Sequence, residues 1–170
     1  VSCQCAGCSD GVFFIALEYC DGGSVDQLMQ RRGGRLPVDE ALDIVRQVLD
    51  GLDYAHRAGV DGLAPEGAAS PRASGIVHRD LKPQNVLLSG VGPDRTAKVS
   101  DFGLSKAFDL AGLSGFTRTG SQAGTPVFMP RQQVVSFKYA KPEVDVWAAA
   151  ACLYNMLTGA YPRVFRAGEE

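Results

Sequence analysis

Apolar residues recur every third or fourth position from Ala41 to Ala55, through Val45, Val48 and Leu52, with Leu42 and Leu49 beside them. That spacing predicts an amphipathic helix running from Pro37 to about His56, with one broad apolar face. Pro37 suits the first turn, where a missing N–H costs nothing, and Asp39 and Glu40 complement the positive helix end. A second helix is predicted from Pro142 through Val144, Val146, Trp147, Ala148 to Ala151, Leu153 and Leu157, with Gly159 ending it. It is apolar nearly all round and is therefore expected in the centre of the fold. Asp145 lies inside it and must find partners, because an unpaired buried carboxylate is costly.

Unbroken apolar runs are shorter. Val12 to Tyr19 reads as a buried strand, broken by Asp21-Gly22-Gly23-Ser24. Ser24 is a suitable N-cap for a short helix containing Asp26, Leu28 and Met29, which Arg31-Arg32-Gly33-Gly34 closes. Val86-Leu87-Leu88 and Ala97-Lys98-Val99 read as short strands joined through Gly90 to Asp94. Residues 60–74 are small, Gly- and Pro-containing and poor in large hydrophobes, so an exposed loop is expected there. Residues 109–124, rich in Gly, Ser and Thr, read as a second, mobile loop. No internal repeat is visible.

Composition changes this picture little. The chain of 170 residues suffices for one domain with a sizeable core, and 45% hydrophobic with 21% charged residues is ordinary for a globular protein. A formal net charge of -2 provides no basic field for nucleic acid or an anionic membrane. No apolar run reaches the roughly 20 residues of a spanning helix, and no secretion signal opens the chain. Cys3, Cys5 and Cys8 crowd the N-terminus as C-x-C-x-x-C, but a closed tetrahedral site needs a fourth ligand and both histidines are distant. A reduced, ragged strand of a cytoplasmic protein is the favoured reading, although the parent could be anchored to a membrane outside this segment. Cys20 and Cys152 sit in apolar surroundings.

The chemistry is concentrated in His78-Arg79-Asp80-Leu81-Lys82-Pro83-Gln84-Asn85, followed by Asp101-Phe102-Gly103, then Gly124-Thr125-Pro126, then Asp145-Val146-Trp147. The first two motifs place a carboxylate, a cation and two candidate metal ligands close in sequence, the set that phosphoryl transfer from a nucleotide needs. In this order the motifs resemble the middle of a eukaryotic-like serine/threonine protein kinase, most like a bacterial member, from about Val12 to Phe165. The resemblance implies an α+β, protein-kinase-like fold, mainly the helical large lobe. Residues 1–20 would be the last small-lobe strand and the hinge, and 21–170 an incomplete large lobe, with 60–74 as a loop insertion and 101–132 as the activation segment.

The resemblance also implies ATP and Mg2+ as cofactors and protein serine or threonine hydroxyls as substrates. Asp80 would accept the hydroxyl proton, Lys82 would neutralise the transferring phosphoryl group, and Asn85 and Asp101 would hold magnesium. Thr125 would bond Asp80 and Lys82. Leu17 would guard the adenine pocket, the backbone of Glu18 and Cys20 would bond the adenine edge, Ser24 would reach the ribose and Leu87 would pack beneath the base. His78 and Phe102 would stack in the core, and Asp145 would bond the backbone of the catalytic loop. Arg79 would pair with a phosphorylated residue among Thr117, Thr119 and Ser121.

Departures accompany the likeness. Gln132, in Met129-Pro130-Arg131-Gln132-Gln133, stands where the family has a glutamate that pairs with a distant arginine. The chain shows no glycine-rich phosphate loop and no nucleotide-gripping lysine, and it stops before the last large-lobe helices. A fragment with weak or no activity by itself is therefore expected. A non-catalytic kinase-like interaction module and a small-molecule phosphotransferase of the antibiotic-kinase type are the alternatives.

Overall fold

The computed structural model describes residues 1–58, 75–102, 126–135 and 141–163. The expected loops at 60–74 and 109–124 lie outside the described residues, as do Gly103, Thr117, Thr119, Ser121 and Thr125.

The chain begins with an antiparallel ribbon of β1 (Cys3–Ser9) and β2 (Val12–Leu17), in which Ser9 faces Val12 and Cys8 faces Phe13. Asp10 and Gly11 make the turn with φ of 52° and 78°, both left-handed, which matches the twist of the strands. The apolar run of β2 was expected to be buried, yet Phe13 is 82% exposed and Val12, Phe14, Ile15 and Leu17 are also exposed. The reason is local: the strand pairs with β1, and no other described element covers its faces. The ribbon is tied to the rest of the protein by Lys98 Nζ, 2.6 Å from Glu18 Oε1, and by the Val1 amino group, which donates to the Val99 carbonyl at 3.0 Å. All five cysteines are free thiols; Cys3, Cys5 and Cys8 are exposed along β1, and Cys20 and Cys152 are buried.

Past Gly22 the chain enters β3 (Gly23–Ser24) and α1 (Val25–Arg31). Ser24 is the N-cap, as expected: its Oγ accepts from the Gln27 amide and the Gln27 side chain accepts from the Ser24 amide, a reciprocal capping box. Helix α2 spans Val38–Arg57, with Pro37 as its N-cap residue rather than inside the first turn. Its buried stripe is Ala41, Ile44, Val45, Val48, Leu52 and Ala55. Leu42 and Leu49 are instead exposed, by 49% and 39%. The apolar face is thus narrower than the composition suggests and rotated toward Ile44.

Strands β4 (Val86–Ser89) and β5 (Thr96–Val99) complete an antiparallel sheet of order β3-β4-β5, in which Ser24 faces Leu87 and Leu87 faces Lys98. Gln47 of α2 accepts from the Ala97 amide at 2.8 Å and so satisfies a backbone donor of β5. A short helix α3 (Arg131–Val135) precedes α4 (Glu143–Thr158), which Gly159 ends at φ 73°. Helix α4 is central, with Ala148, Ala149, Ala151, Cys152 and Met156 buried against α2 and its neighbours. It is not buried all round: Val146, Ala150 and Tyr154 form an exposed stripe at helical spacing.

One core joins α1, α2, α4, β4 and β5. Leu52, Leu81, Leu88 and Met156 are among its largest fully buried side chains, each contributing roughly 1.5–3 kcal/mol by leaving water. That core is the platform for the residues between β4, β5 and the C-terminal end of α2.

Candidate functional site

The return from the end of α2 places the His78 segment against α4. The Ile76 amide donates to the Ala55 carbonyl at 2.9 Å, taking up one of the orphan carbonyls of the helix end. Gly75 passes so close to that end that a Cβ would collide with the carbonyls of Ala55 and His56.

His78 and Asp145 are both fully buried. Asp145 Oδ2 accepts from the His78 amide at 2.8 Å, and its Oδ1 accepts from the Arg79 amide at 2.8 Å. His56 Nε2 lies 2.7 Å from Asp145 Oδ2 and donates to it, since a carboxylate can only accept. The buried charge is therefore met by three donors, which is what makes its burial tolerable. His78 Nε2 is 2.7 Å from the Ser100 carbonyl, and His78 Nδ1 accepts from the Asp80 amide at 3.2 Å. One neighbour can only accept and the other only donate, so this imidazole is neutral with its proton on Nε2. Its ring meets Phe102 edge-on with centroids 4.8 Å apart. His78 is thus a fastening in the core.

Asp80, Lys82 and Asn85 are brought together. Lys82 Nζ is 3.0 Å from Asp80 Oδ2, and Asn85 Nδ2 donates to Asp80 Oδ2 at 3.2 Å and to the Asp80 carbonyl at 2.8 Å. Pro83–Asn85 form a 3-10 turn whose Asn85 amide returns to the Lys82 carbonyl at 2.9 Å. Asp80 and Lys82 keep side-chain exposures of 28% and 21%, whereas Asn85 is 8% exposed. The carboxylate and ammonium therefore face outward from a buried amide that orients them.

Ser100 connects Asp101 to this cluster. Its amide and hydroxyl donate to the Asn85 carbonyl at 2.9 and 3.1 Å, and its hydroxyl is 3.3 Å from Asp101 Oδ2. Asp101 is exposed and left-handed, with φ 61°. Arg79 is left-handed too, with φ 68°.

The residues expected to hold a base are more scattered. Leu17 is 42% exposed at the end of β2, Cys20 is buried, and Leu87 faces Ser24 across the β3-β4 pair. The Glu18 amide is committed to the Ser2 carbonyl at 3.0 Å. The Glu18 carboxyl is held down to about 2 by Lys98 first and by the Ser2 hydroxyl second.

Two polar residues join the site without having been singled out in the sequence. His56 was noted only as a helix end, although it follows Leu52 by four residues and so shares the buried stripe. Gln133 is 2% exposed, and its Nε2 donates to the Arg79 carbonyl. Gln132, the position compared with the family glutamate, is exposed. The segment around them is clamped from α4 and beyond. Phe128 meets Tyr161 edge-on at 5.8 Å, and Arg163 lies 4.6 Å over the Trp147 ring and donates to the Met129 carbonyl at 3.0 Å.

Residues 6–169 match the family model of the protein kinase domain. The chain belongs to the protein kinase family. This kinase chain is 36% identical over 149 residues to the carbon catabolite-derepressing protein kinase of Candida albicans, covering 87% of this chain and 20% of that protein. Over 150 residues it is 33% identical to the serine/threonine-protein kinase STK11 of Rattus norvegicus, covering 88% of this chain and 30% of that one. Its fold superimposes on the crystal structure of the Mycobacterium tuberculosis PknI kinase domain with a TM-score of 0.64 and 26% identity, covering 95% of this chain and 50% of that chain. The chain therefore spans less than a third of these curated relatives and half of the solved kinase domain. The fold is protein-kinase-like, and the relatives named here are serine/threonine protein kinases.

Proposed function

We propose that this segment supplies the proton acceptor and the metal ligands of an ATP-dependent kinase that phosphorylates serine and threonine hydroxyls on proteins. The observation that carries this reading is the outward-facing Asp80 carboxylate held by Lys82 Nζ at 3.0 Å and Asn85 Nδ2 at 3.2 Å. A carboxylate so placed accepts the proton of an incoming hydroxyl, and the ammonium beside it neutralises a phosphoryl group in transit.

The donor set fits magnesium. Both hydrogen bonds of the Asn85 side chain use its NH2 group, which leaves its amide oxygen for a hard cation, and Asp101 adds an exposed carboxylate linked to Asn85 through Ser100. Bound there with ATP, magnesium would offset charge on the phosphates. For the nucleotide, Leu17 would guard the back of the adenine pocket, Leu87 would pack beneath the base, and the backbone of Glu18 and Cys20 would bond its edge. The Ser24 oxygen is occupied in capping, but its O–H still serves a ribose. Thr125 is assigned with Asp80 and Lys82 to the acceptor side. A cytoplasmic location belongs to the same proposal. Taken alone, the 170 residues are expected to transfer weakly, because they hold the base and metal ligands without a recognisable phosphate-gripping lysine.

The test is transfer of the γ-phosphate of ATP to a serine peptide by the full-length gene product. Asp80→Asn should lower turnover by about 10²–10⁴-fold while nucleotide affinity stays near that of the parent. Undiminished turnover in that variant removes Asp80 from the reaction. Transfer to an aminoglycoside in preference to the peptide would replace the protein substrate with a small molecule.

A further inference from the structure

The backbone polar groups from the Arg79 N–H to the Asp80 N–H are all held. Arg79 sits at φ 68°, a left-handed conformation that costs a side-chain-bearing residue about 1–2 kcal/mol and persists only where its surroundings impose it. The Arg79 N–H is held by Asp145 Oδ1, and the Asp80 N–H by His78 Nδ1. The remaining group, the Arg79 carbonyl, receives Nε2 of Gln133. Asp145 and His78 act from the core, whereas Gln133 reaches in from α3, 54 positions further along the chain. Its own amide donates to the carbonyl of Pro130 at 3.0 Å, so its backbone is fixed to the segment that Tyr161 and Arg163 clamp.

We propose that Gln133 is a positioning residue for Asp80: by donating to the Arg79 carbonyl it sets the plane of the Arg79–Asp80 peptide and hence the direction of the Asp80 carboxylate. A buried primary amide suits this task, because it donates to the carbonyl at any physiological pH and brings no charge near Asp80. The segment Pro126–Val135 is thereby coupled to the proton acceptor through this side chain. Displacing that segment withdraws the Gln133 donor from the Arg79 carbonyl and loosens the hold on the left-handed residue. The importance of Asp80 rests on the kinase reading above. The contact and its effect on the loop do not, so the experiment reads the loop directly.

The measurement is amide hydrogen exchange on this chain by NMR, expressed as protection relative to the intrinsic rate. In Gln133→Met, which keeps the volume and removes the donor, the Asp80 amide should lose about tenfold of its protection, the worth of one buried hydrogen bond. The amides of β4 and β5 should keep theirs. In Gln133→Glu a carboxylate faces a carbonyl at neutral pH, but the protonated acid donates its O–H. Asp80 protection in that variant should therefore be low at pH 7 and recover as the pH falls toward the carboxyl range, whereas the parent shows no such trend. Equal loss at Asp80 and across the sheet in Gln133→Met, or a pH-independent protection in Gln133→Glu, would overturn the proposal. If Gln133→Met does not fold, the pH dependence of Gln133→Glu decides alone. Absence of phosphoryl transfer with these exchange results intact would count against the kinase reading and leave the role of Gln133 standing.

Discussion

Replacing Asp145 by asparagine changes one atom at the point where α4 holds the His78–Asn85 loop. The carboxylate receives the His78 amide and His56 Nε2 on Oδ2 and the Arg79 amide on Oδ1. An asparagine can accept on only one of those atoms. Its better orientation keeps the carbonyl on the two-donor side and turns its NH2 toward the Arg79 N–H. That arrangement deletes one charge-assisted bond, weakens the other two and leaves a buried donor facing a donor. The expected loss is about 2–3 kcal/mol, since hydrogen bonds to charged groups are worth roughly 1.5–3 kcal/mol and part is recovered. For a chain of this size each kcal/mol moves the midpoint by roughly 2–4 °C, so thermal unfolding followed by circular dichroism should show a fall of about 4–12 °C. Adding His56→Phe completes a double-mutant cycle, in which the two changes should cost less together than the sum of each alone. A midpoint for Asp145→Asn within about 1 °C of the parent, or strict additivity in the cycle, would show that Asp145 does not hold the loop by these bonds.

Three other outcomes follow from the same geometry. Glu18 is held at about 2 against an ordinary 4.5, so its pairing with Lys98 and Ser2 stabilises the protein fully above pH 4.5 and is lost as the pH falls toward 2. Glu18→Gln should flatten that part of an acid-unfolding curve. Burial pushes the Cys152 thiol up to about 12 from 9.0, so the folded protein keeps that proton after the unfolded chain has lost it, and stability should decline as the pH rises above 9. Iodoacetamide at pH 8 should label Cys3, Cys5 and Cys8 in the native protein and reach Cys20 and Cys152 only after unfolding, as read by mass spectrometry of the peptides.

The helices and the meeting of Asp80, Lys82 and Asn85 were legible because each is written locally. Ala41 to Ala55 states its period within a few turns, and Asp80, Lys82 and Asn85 meet because a Pro83–Asn85 turn folds them onto one another. Burial was less legible. An apolar run such as Val12–Leu17 reports what a strand can bury, and what covers it is decided elsewhere in the chain. Leu42 and Leu49 belong to the same lesson, since periodicity locates a helical face only to within a residue or so of rotation. The Asp10-Gly11 pair did carry a strong hairpin signal, because both positions of that tight turn require positive φ. His56 also had a signal, being polar on a buried register. Gln133 had none: its partner is a backbone carbonyl 54 positions away, and a backbone carbonyl has no sequence.

The bonds that shape the His78–Asn85 loop also fix when it can exist. His78 and Arg79 wait for Asp145, 67 and 66 positions later, and His56 waits for the same carboxylate across 89. Contacts that close such long loops carry a loop-closure entropy that slows folding. During synthesis at roughly 5–20 residues per second, Asp80 leaves the ribosome several seconds before Asp145. Throughout that interval the Arg79 peptide lacks its anchor on α4, and the nascent protein has the His78–Asn85 sequence without its folded loop. The order of the chain therefore sets the order of assembly, since the Asp80 backbone is fixed only after the helix that organises the core has been made.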